Sequence, residues 1–304
     1  MNVAVAKTDR VEAADETPFA LARSRLPGSG AVTDLRREAY DAFQRIGLPH
    51  RRIEDWKYTD LRALMREVLP LAAAPDAEAL ARAAAALKLH AIDGVRRLVL
   101  VDGVLAPSLS EFGDLEPKLS LRSLRDILAG GDAVLQEELF GLDSNNPMIA
   151  LNSAMMTDGV VIAVADGAKL TQPLHVVHIA SGGAPAAMFT RSMLKLGNDS
   201  SATLVESYIA GEGAAAYQVH DALVIAIGDR ARLDHIRLVE DGREAFNITS
   251  SAIDVGAHAH FNTFGMATGA FVSRYQAVIN VAGEHSRVAG ELRRTHARRR
   301  RPSG

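Results

Sequence analysis

The chain of 304 residues contains no cysteine, and this absence excludes several kinds of site. Without thiols the chain forms no disulfides, and it cannot by itself supply the thiolate ligands of a structural zinc ion or an iron–sulfur cluster. We therefore expect no cofactor to be bound by this chain alone. Absence of cysteine also fits a reducing compartment, and we expect a cytoplasmic protein.

Three further sequence signals are missing. No window approaches the roughly 18 apolar residues of a membrane span, so we expect a soluble protein with no membrane partner. The first twenty residues mix charges of both signs and lack the apolar core of a secretory signal, and residues 1–30 are predicted to be a disordered leader. The sequence contains neither of two phosphate-binding motifs, GxxxxGK followed by Ser or Thr and GxGxxG. Any ATP hydrolysis must therefore come from a partner.

Basic residues are distributed unevenly along the chain, whose net charge is −3. Six arginines fall in the last twelve positions, which contain no acid: Arg293, Arg294, Arg298, Arg299, Arg300 and Arg301. The rest of the chain has 28 basic and 37 acidic side chains and is a poor candidate for nucleic-acid binding. Residues 291–304 are predicted to be a basic tail that is disordered or foreign to the fold.

Helical spacing dominates residues 31–150. Apolar positions recur on one face after Thr33 or Asp34, either of which can cap a helix, and Gly47 ends it. A second helix is predicted to begin at Thr59.

Two further elements follow in this region. Residues 76–89 are rich in alanine and are predicted to form a third helix. Asp102-Gly103 stands between two apolar runs, a pattern that predicts a β-hairpin near 97–105.

A repeat of strands without helices begins near residue 151. Short apolar runs alternate with polar turns, and glycines mark the repeat at intervals of 30, 31, 28 and 27 residues: Gly167, Gly197, Gly228, Gly256 and Gly283. This period predicts a solenoid, and continuous apolar runs are typical of strands covered on both faces. We predict a mainly β chain, in which an α-helical N-terminal region precedes a right-handed parallel β-helix over 151–290 that is incomplete at its C-terminal end. The marker glycines are expected to adopt positive φ.

The segment RRIEDWKYTDL, Arg51–Leu61, holds the only tryptophan of the chain. Its acidic residues are flanked by Arg and Lys, and it contains no His or Ser, so it offers neither a nucleophile nor paired carboxylates in an apolar pocket. Cation–π contacts are one alternative, and a brace that pins the N-terminal helices onto the β-helix is the interpretation we favour. This structural role is assigned to Arg52, Glu54, Asp55, Trp56, Lys57 and Tyr58.

No catalytic residue is predicted, and His258 and His260 form the pair with the most metal-like spacing. Residues i and i+2 share one face of a strand, so two imidazoles at this spacing can bind one ion. No glutamate follows three or four residues later, as in a cupin site, and exposed turn histidines are the favoured interpretation. His175 and His178 face opposite sides of a strand and cannot share an ion from one face. Three carboxylates near predicted turns are expected to be solvated: Glu206, Glu240 and Glu284.

Two segments together resemble the SufD family of the SUF iron–sulfur cluster assembly system. They are RRIEDWKYTDL and ALNSAMMTDGVVIAVADGAKLTQPLHVVHI, and the resemblance extends over about residues 31–288. The SufB branch shares the β-helix core, and the helical N-terminus and lack of cysteine favour SufD. The resemblance implies a non-catalytic scaffold subunit that pairs with a SufB-like scaffold and a SufC-like ATPase. It also implies that an iron–sulfur cluster is met only transiently, together with the SufB-like partner.

The sequence departs from the SufD pattern near Gly290. Family members continue with further coils, which carry an interface histidine, and with a helical ATPase-binding domain; neither has a counterpart here. The resemblance therefore implies a C-terminally truncated or frameshifted member. An uncapped last coil exposes strand edges, so we expect a homodimer through that end, or poor solubility.

Two other functions are compatible with a β-helix. One is a carbohydrate-active enzyme of the polysaccharide lyase kind, although the chain lacks a secretion signal and a dense aspartate cluster for calcium, and its repeats contain few aromatic residues. The other is a metal-binding enzyme that uses His258 and His260.

Overall fold

A computed structural model describes residues 17–142 and 145–294 of the chain. Its N-terminal part is mainly helical. The helices are α1 (Pro18–Ala22), α2 (Ala31–Ile46), α3 (Leu61–Leu64), α4 (Ala77–Leu89), α5 (Leu124–Gly130), α6 (Ala133–Phe140) and α7 (Pro147–Met155). No helix within the described ranges has both the length and the apolar composition of a membrane span.

Side-chain capping explains where two of the helices begin. Asp76 caps α4 by accepting the backbone N–H of Ala79 at 2.8 Å. Asn146 caps α7, and Pro147 occupies the first helical position, where a missing N–H leaves no bond unmade. Both helices therefore start where short-range sequence chemistry favours a start.

Two predicted helix starts are wrong. Thr33 and Asp34 lie inside the first turn of α2, which begins directly after Gly30, a residue with φ of 57° and no side chain to cap the helix. The helix α3 begins after Asp60 rather than at Thr59, because the Asp60 carboxylate is the group that accepts a first-turn N–H. It ends after a single turn.

Part of the predicted disordered leader is ordered. Residues 1–16 lie outside the described ranges, but α1 follows Thr17, whose side chain accepts the N–H of Ala20. Phe19 of α1 stacks on Tyr40 of α2 with ring centroids 4.8 Å apart. The charge composition of the leader gave no sign of this aromatic anchor.

The strands fill the C-terminal half and a part of the N-terminal half. They are β1 (Arg96–Val101), β2 (Val104–Leu105), β3 (Leu119–Ser123), β4 (Val160–Val164), β5 (Leu174–Ala180), β6 (Ala186–Leu196), β7 (Ser201–Ala210), β8 (Tyr217–Ile227), β9 (Arg232–Glu240), β10 (Phe246–Val255), β11 (His260–Ala267), β12 (Val272–Val281) and β13 (Arg287–Arg294).

These strands form two sheets that face each other. One has the order β13-β11-β9-β7-β5-β1-β2 and the other the order β12-β10-β8-β6-β4-β3. From β4 onward, consecutive strands alternate between the sheets and pair in parallel with the strand one coil away. The result is a β-solenoid of about four turns preceded by helices, which confirms the predicted mainly β, parallel β-helix class. Its right-handed sense stays a prediction.

The N-terminal region is joined to both sheets. The strand β1 pairs in parallel with β5, and β2 folds back on β1 through Asp102 and Gly103, whose φ angles are 49° and 80°. The predicted hairpin therefore forms at the expected dipeptide. On the other sheet β3 pairs antiparallel with β4, so the sheets continue past the solenoid repeat into the N-terminal region.

At one corner of the solenoid four glycines stack on one another, and their predicted role needs correction. At Gly228 a Cβ atom would lie 2.8 Å from backbone atoms of the preceding coil, and at Gly283 it would lie 2.1 Å away. These two have no positive φ; of the five markers only Gly167 does. Glycine is required there because of close backbone approach. We call this the glycine corner: Gly197, Gly228, Gly256 and Gly283, each with its two following residues.

The positive φ at this corner belongs to the residue two positions after each stacked glycine. Asp199, Arg230 and His258 have φ of 56°, and His285 has φ of 59°. The backbone N–H of Arg230 donates to the carbonyl of Ala257 one coil away at 2.8 Å, and equivalent bonds form at Asp199 and His258. A left-handed residue at this place therefore links successive coils.

The helices pack on the outer faces of the two sheets. The aliphatic core lies between the two sheets. One outer cluster joins Trp56, Leu61 and α7 to outward-facing residues of the sheet, among them Phe189 and Ile248. We call it the brace cluster. A second outer cluster packs α4 against β1 and β5.

The predicted basic tail begins later than expected. Arg293 and Arg294 belong to β13, which pairs in parallel with β11 and is exposed along its length. Parallel pairing along the sheet edge extends the strand through these residues despite their charge. The remainder of the predicted tail, 295–304, lies outside the described residues.

Candidate functional site

The space between the two sheets is apolar at one end and polar in its middle. Leu204, Leu223 and Leu233 belong to an aliphatic cluster inside the solenoid. Two positions away on the same strands, at sites that point to the same side, the residues are polar. We call the buried set the polar layer: His178 of β5, Thr190 of β6, Glu206 and Tyr208 of β7, Asp221 of β8, and His235 and Arg237 of β9.

Three members of the polar layer converge on one point. A ring nitrogen of His178 and one carboxylate oxygen each of Glu206 and Asp221 lie within 4.8 Å of one another. His178 also stacks on the ring of Tyr208, with centroids 4.6 Å apart, and its Nδ1 lies 3.4 Å from Thr190 Oγ1. An imidazole and two carboxylates that meet in this way offer a metal ion three ligands, or offer a proton three acceptors.

Asp221 is held by neutral donors. Thr190 Oγ1 donates to Oδ1 at 2.5 Å, and the Tyr208 hydroxyl donates to Oδ2 at 2.8 Å. Burial raises the pKa of Asp221 above its ordinary value, and the nearby charge of His178 and the two hydrogen bonds only partly oppose this. Among the described residues Asp221 forms no salt bridge, and both side chains that donate hydrogen bonds to it are uncharged.

Glu206 was expected to be solvated near a turn, and this prediction is wrong. It lies in the middle of β7 and is 2% exposed, because it faces the same side as Leu204. Its Oε2 is 2.7 Å from His235 Nε2. Burial alone would raise the pKa of Glu206, but the hydrogen bond and charge of His235, with the charge of Arg237, hold it below its ordinary value.

The cation of the polar layer, Arg237, is turned toward the later coils. Its guanidinium lies between the rings of Tyr208 and Tyr275, 4.6 and 4.7 Å from their centroids. One terminal nitrogen donates to Asn247 Oδ1 at 2.7 Å and to Thr249 Oγ1 at 2.5 Å. The guanidinium of Arg237 thus contacts aromatic faces and neutral oxygens. Its Nε has no hydrogen-bond partner, and Arg237 forms no salt bridge, within the described part of the chain.

The predicted metal pair, His258 and His260, is placed elsewhere. His258 is exposed in the glycine corner with φ of 56°, so it does not lie on a strand, and the assumption that the two side chains share a strand face is wrong. Its ring stacks on His285 at 5.1 Å. His260 is the half-buried first residue of β11. Metal binding stays the less favoured hypothesis for this pair.

The family segment Arg51–Leu61 lies outside the solenoid. Trp56 is buried in the brace cluster, and Arg274 of β12 lies over its ring at 3.9 Å and donates to the carbonyl of Asp55 at 2.5 Å. Tyr58 is 90% exposed, with Lys57 over its ring at 5.1 Å.

The charged residues of the segment surround this packing without entering the polar layer. Lys57 also pairs with Glu54 at 3.0 Å, and Arg52 is exposed. Of the six residues to which a structural role was assigned, the structure brings Trp56 and the backbone of Asp55 into contact with the β-helix. The structural role of the segment as a whole stays a prediction.

The other buried histidines face outward from the solenoid. His175 Nε2 lies 2.8 Å from Ser207 Oγ, on the face opposite to His178, as the spacing of the two residues predicts. His220 stacks on Phe189 at 4.6 Å. Burial lowers the pKa of His175 to about 4, with help from the charge of Arg97, and burial lowers the pKa of His220 to about 3.

The convergence of Glu206 and Asp221 on His178 was not predicted from the sequence. A signal was present: a carboxylate stands within the otherwise apolar runs LVESYIA and VHDALVIAI. Buried strands seldom carry an unpaired charge, so such a residue indicates a specific site. The side to which it points follows from the period of two, but its partners depend on the register between coils.

The aromatic residues of the repeats form no exposed sugar-binding platform in the described ranges. Four of them are buried within the fold: Phe189, Tyr208, Tyr217 and Phe261. Phe271 is 55% exposed and stands beside Phe246 in an edge-to-face contact. This distribution gives no support to a polysaccharide lyase.

Comparison with known proteins assigns the chain to a family. Residues 27–176 match the SufBD protein N-terminal region, and residues 178–292 match the SufBD core domain of SUF system FeS cluster assembly. The chain is 27% identical over 258 residues to an iron–sulfur cluster assembly SufBD family protein of Synechocystis sp.. The matched region covers 80% of this chain and 55% of that protein. The chain is also 27% identical over 245 residues to the iron–sulfur cluster assembly protein SufD of Escherichia coli K12, covering 80% of this chain and 54% of SufD.

The chain thus spans about half the length of the curated relatives it matches. The two family regions follow each other with one residue between them and together include the helices α2 to α7, the hairpin, and the solenoid strands up to residue 292 of β13. The chain belongs to the SufBD family of iron–sulfur cluster assembly proteins.

Proposed function

We propose that this chain is a non-catalytic scaffold subunit of iron–sulfur cluster assembly, which pairs with a SufB-like scaffold and a SufC-like ATPase. The observation that carries the proposal is the continuous match of both SufBD regions over 27–292, on a fold of parallel β-helix and N-terminal helices. An iron–sulfur cluster is cargo in this proposal. Because the chain has no cysteine, sulfur ligands for that cargo come from the partner.

The last described coil supports the choice of a β-helix partner. The edge strands β12 and β13 leave apolar side chains in solvent, including Val278, Val281, Val288 and Leu292. Exposed strand edges bind other strands through their free N–H and C=O groups, and apolar side chains beside them add buried area. A second β-helix offers the matching edge. A homodimer through the same edge stays a prediction.

Co-expression tests this function. The tagged chain is produced with SufB-like and SufC-like subunits from the same cell, and the complex is isolated through the tag. We expect the SufB-like subunit to be recovered in stoichiometric amount. Recovery of neither subunit would contradict the proposal. When the chain is produced without the two partners, light scattering after size exclusion shows whether it forms a homodimer.

A pair of variants tests where the partner binds. Replacing Val281 and Val288 by aspartate places charge on the exposed edge and is expected to abolish recovery of the SufB-like subunit. Val134→Asp is the control, because Val134 is also an exposed valine but belongs to the helix α6 and to neither edge strand. Equal loss in both variants would show that the edge is not the contact.

A further inference from the structure

We propose that His178, Glu206 and Asp221 form a binding site for a divalent transition-metal ion inside the solenoid. The proposal concerns residues of this chain alone and does not depend on the proposed function. It places the ion in the polar layer, far in sequence from His258 and His260.

The ligand set has the right chemistry. One imidazole nitrogen and two carboxylate oxygens suit divalent ions such as Fe²⁺, Mn²⁺, Co²⁺ and Zn²⁺. The three atoms lie within 4.8 Å of one another. Ligands on an ion with bonds of about 2.1 Å are about 3–4.3 Å apart, so small side-chain rotations complete the site.

A second, independent observation points to a missing ligand. His178 is only 5% exposed, and its Nε2 is buried without a hydrogen-bond partner in the described part of the chain. A buried nitrogen of this kind is costly unless it is bound. When the imidazole proton resides on Nδ1, Nε2 of His178 has a free lone pair that a metal ion can bind.

The charge balance of the site also favours a cation. Glu206 and Asp221 bring two carboxylates into a closed space, and buried charges are usually paired or bind metals. The ion-pair partner of Glu206 is His235, and Asp221 has none among the described residues. Arg237 is directed to Asn247 and Thr249 instead.

The surrounding residues are arranged as supports for metal ligands. His235 Nε2 contacts Oε2 of Glu206 at 2.7 Å, and its Nδ1 lies 3.2 Å from Thr263 Oγ1, so the carboxylate is held in one orientation. Thr190 and Tyr208 do the same for Asp221. Outer partners of this type orient ligands and strengthen metal binding.

The test measures metal directly. The chain is purified from cells grown with added Mn²⁺, Fe²⁺, Co²⁺ or Zn²⁺, and its metal content is determined by mass spectrometry. Purified protein is also incubated with Co²⁺, whose visible absorption reports nitrogen and oxygen ligation. We expect about one ion per chain by at least one route, and a Co²⁺ affinity at least about tenfold weaker in Asp221→Asn and His178→Gln.

Matched controls separate this site from others. His175→Gln changes a buried histidine on the outer face of the same strand and is expected to retain the ion. Circular dichroism confirms that each variant is folded. Absence of metal from the folded wild-type chain by both routes would overturn the proposal, as would metal that is retained in Asp221→Asn but lost in His260→Ala. Recovery of SufB-like and SufC-like partners is scored separately, so failure of one proposal leaves the other intact.

Discussion

The guanidinium carbon of Arg274, on the last strand of its sheet, lies 3.9 Å from the ring centre of Trp56, more than two hundred residues earlier in the chain. The same guanidinium donates to the carbonyl of Asp55. The side chain of Trp56 is 2% exposed among residues of the brace cluster. One cation thus connects the N-terminal segment to the far end of the solenoid.

Removing this contact is expected to destabilise the fold in graded steps. Trp56→Ala should lower the free energy of unfolding by about 3–5 kcal/mol, because it empties a large buried volume. Arg274→Met keeps apolar bulk but removes the cation and one donor, and should cost about 1–2 kcal/mol. Urea unfolding measures both. Tyr58→Ala, at a 90% exposed ring, serves as the control and should change stability by less than about 0.5 kcal/mol.

The glycine corner predicts a large effect of a single methyl group. In Gly228→Ala the new Cβ would meet the backbone of Gly197 and Asn198 at 2.8 Å, and backbone cannot move aside without shifting a coil. We expect a loss of about 3 kcal/mol or more, seen as a lower urea midpoint. Gly183→Ala has open space around the new atom and should be nearly neutral. A neutral Gly228→Ala would show that the coils are not in close contact there.

The buried imidazole of His175 is expected to make stability fall in acid. Its folded pKa of about 4 lies below the ordinary 6.5, because burial and the charge of Arg97 disfavour the proton. Between these pH values the unfolded chain binds more protons, so stability present above pH 6.5 is lost as the pH falls toward 4. His175→Gln should reduce the loss between pH 7 and pH 5 by about 2 kcal/mol.

Urea unfolding at pH 7, 6 and 5 measures this difference. Ser207→Ala removes the hydrogen bond but leaves the imidazole buried, so it should lower stability at every pH while the slope remains. An unchanged slope in His175→Gln would mean that the ring is protonated in the folded protein.

Asn152 of α7 is expected to contribute strongly to the stability of the fold. Its Nδ2 donates to the carbonyls of Thr190 and His220 at 2.8 Å, and its Oδ1 accepts from Arg191 Nε at 3.0 Å. Asn152→Leu removes three buried hydrogen bonds, leaves Nε of Arg191 without its acceptor, and should cost about 3 kcal/mol or more in thermal or urea unfolding. Asn280→Ala removes an exposed hydrogen bond to Asp254 and should cost less than about 0.5 kcal/mol.

Local and periodic features of this fold were predictable, and contacts between coils were not. The Asp102-Gly103 hairpin follows from two adjacent residues that tolerate positive φ, and the solenoid follows from the repeat of glycines and apolar runs. Even so, the first glycine interval of 30 differs from the observed register of 32 between β4 and β6. Gly167 stands at the left-handed position of its corner, whereas the other four stand two residues earlier.

The polar layer shows why the site itself escaped prediction. Asp221 is 43 residues from His178 in the sequence, and the two meet because strands of opposite sheets face each other across the interior. A one-residue change of register would turn either side chain outward. Glu206 was placed near a turn because the sequence shows how often strands recur but not how long each one is.

The glycine corner has a consequence for how the length of this chain can vary. After each of its stacked glycines the next strand begins four residues later, in every coil from Gly197 to Gly283. The opposite corner has connections of 5, 6, 5 and 4 residues, at 181–185, 211–216, 241–245 and 268–271. We therefore expect insertions and deletions among relatives to fall on that opposite side, where connection length already varies from coil to coil, while the glycine side keeps its length.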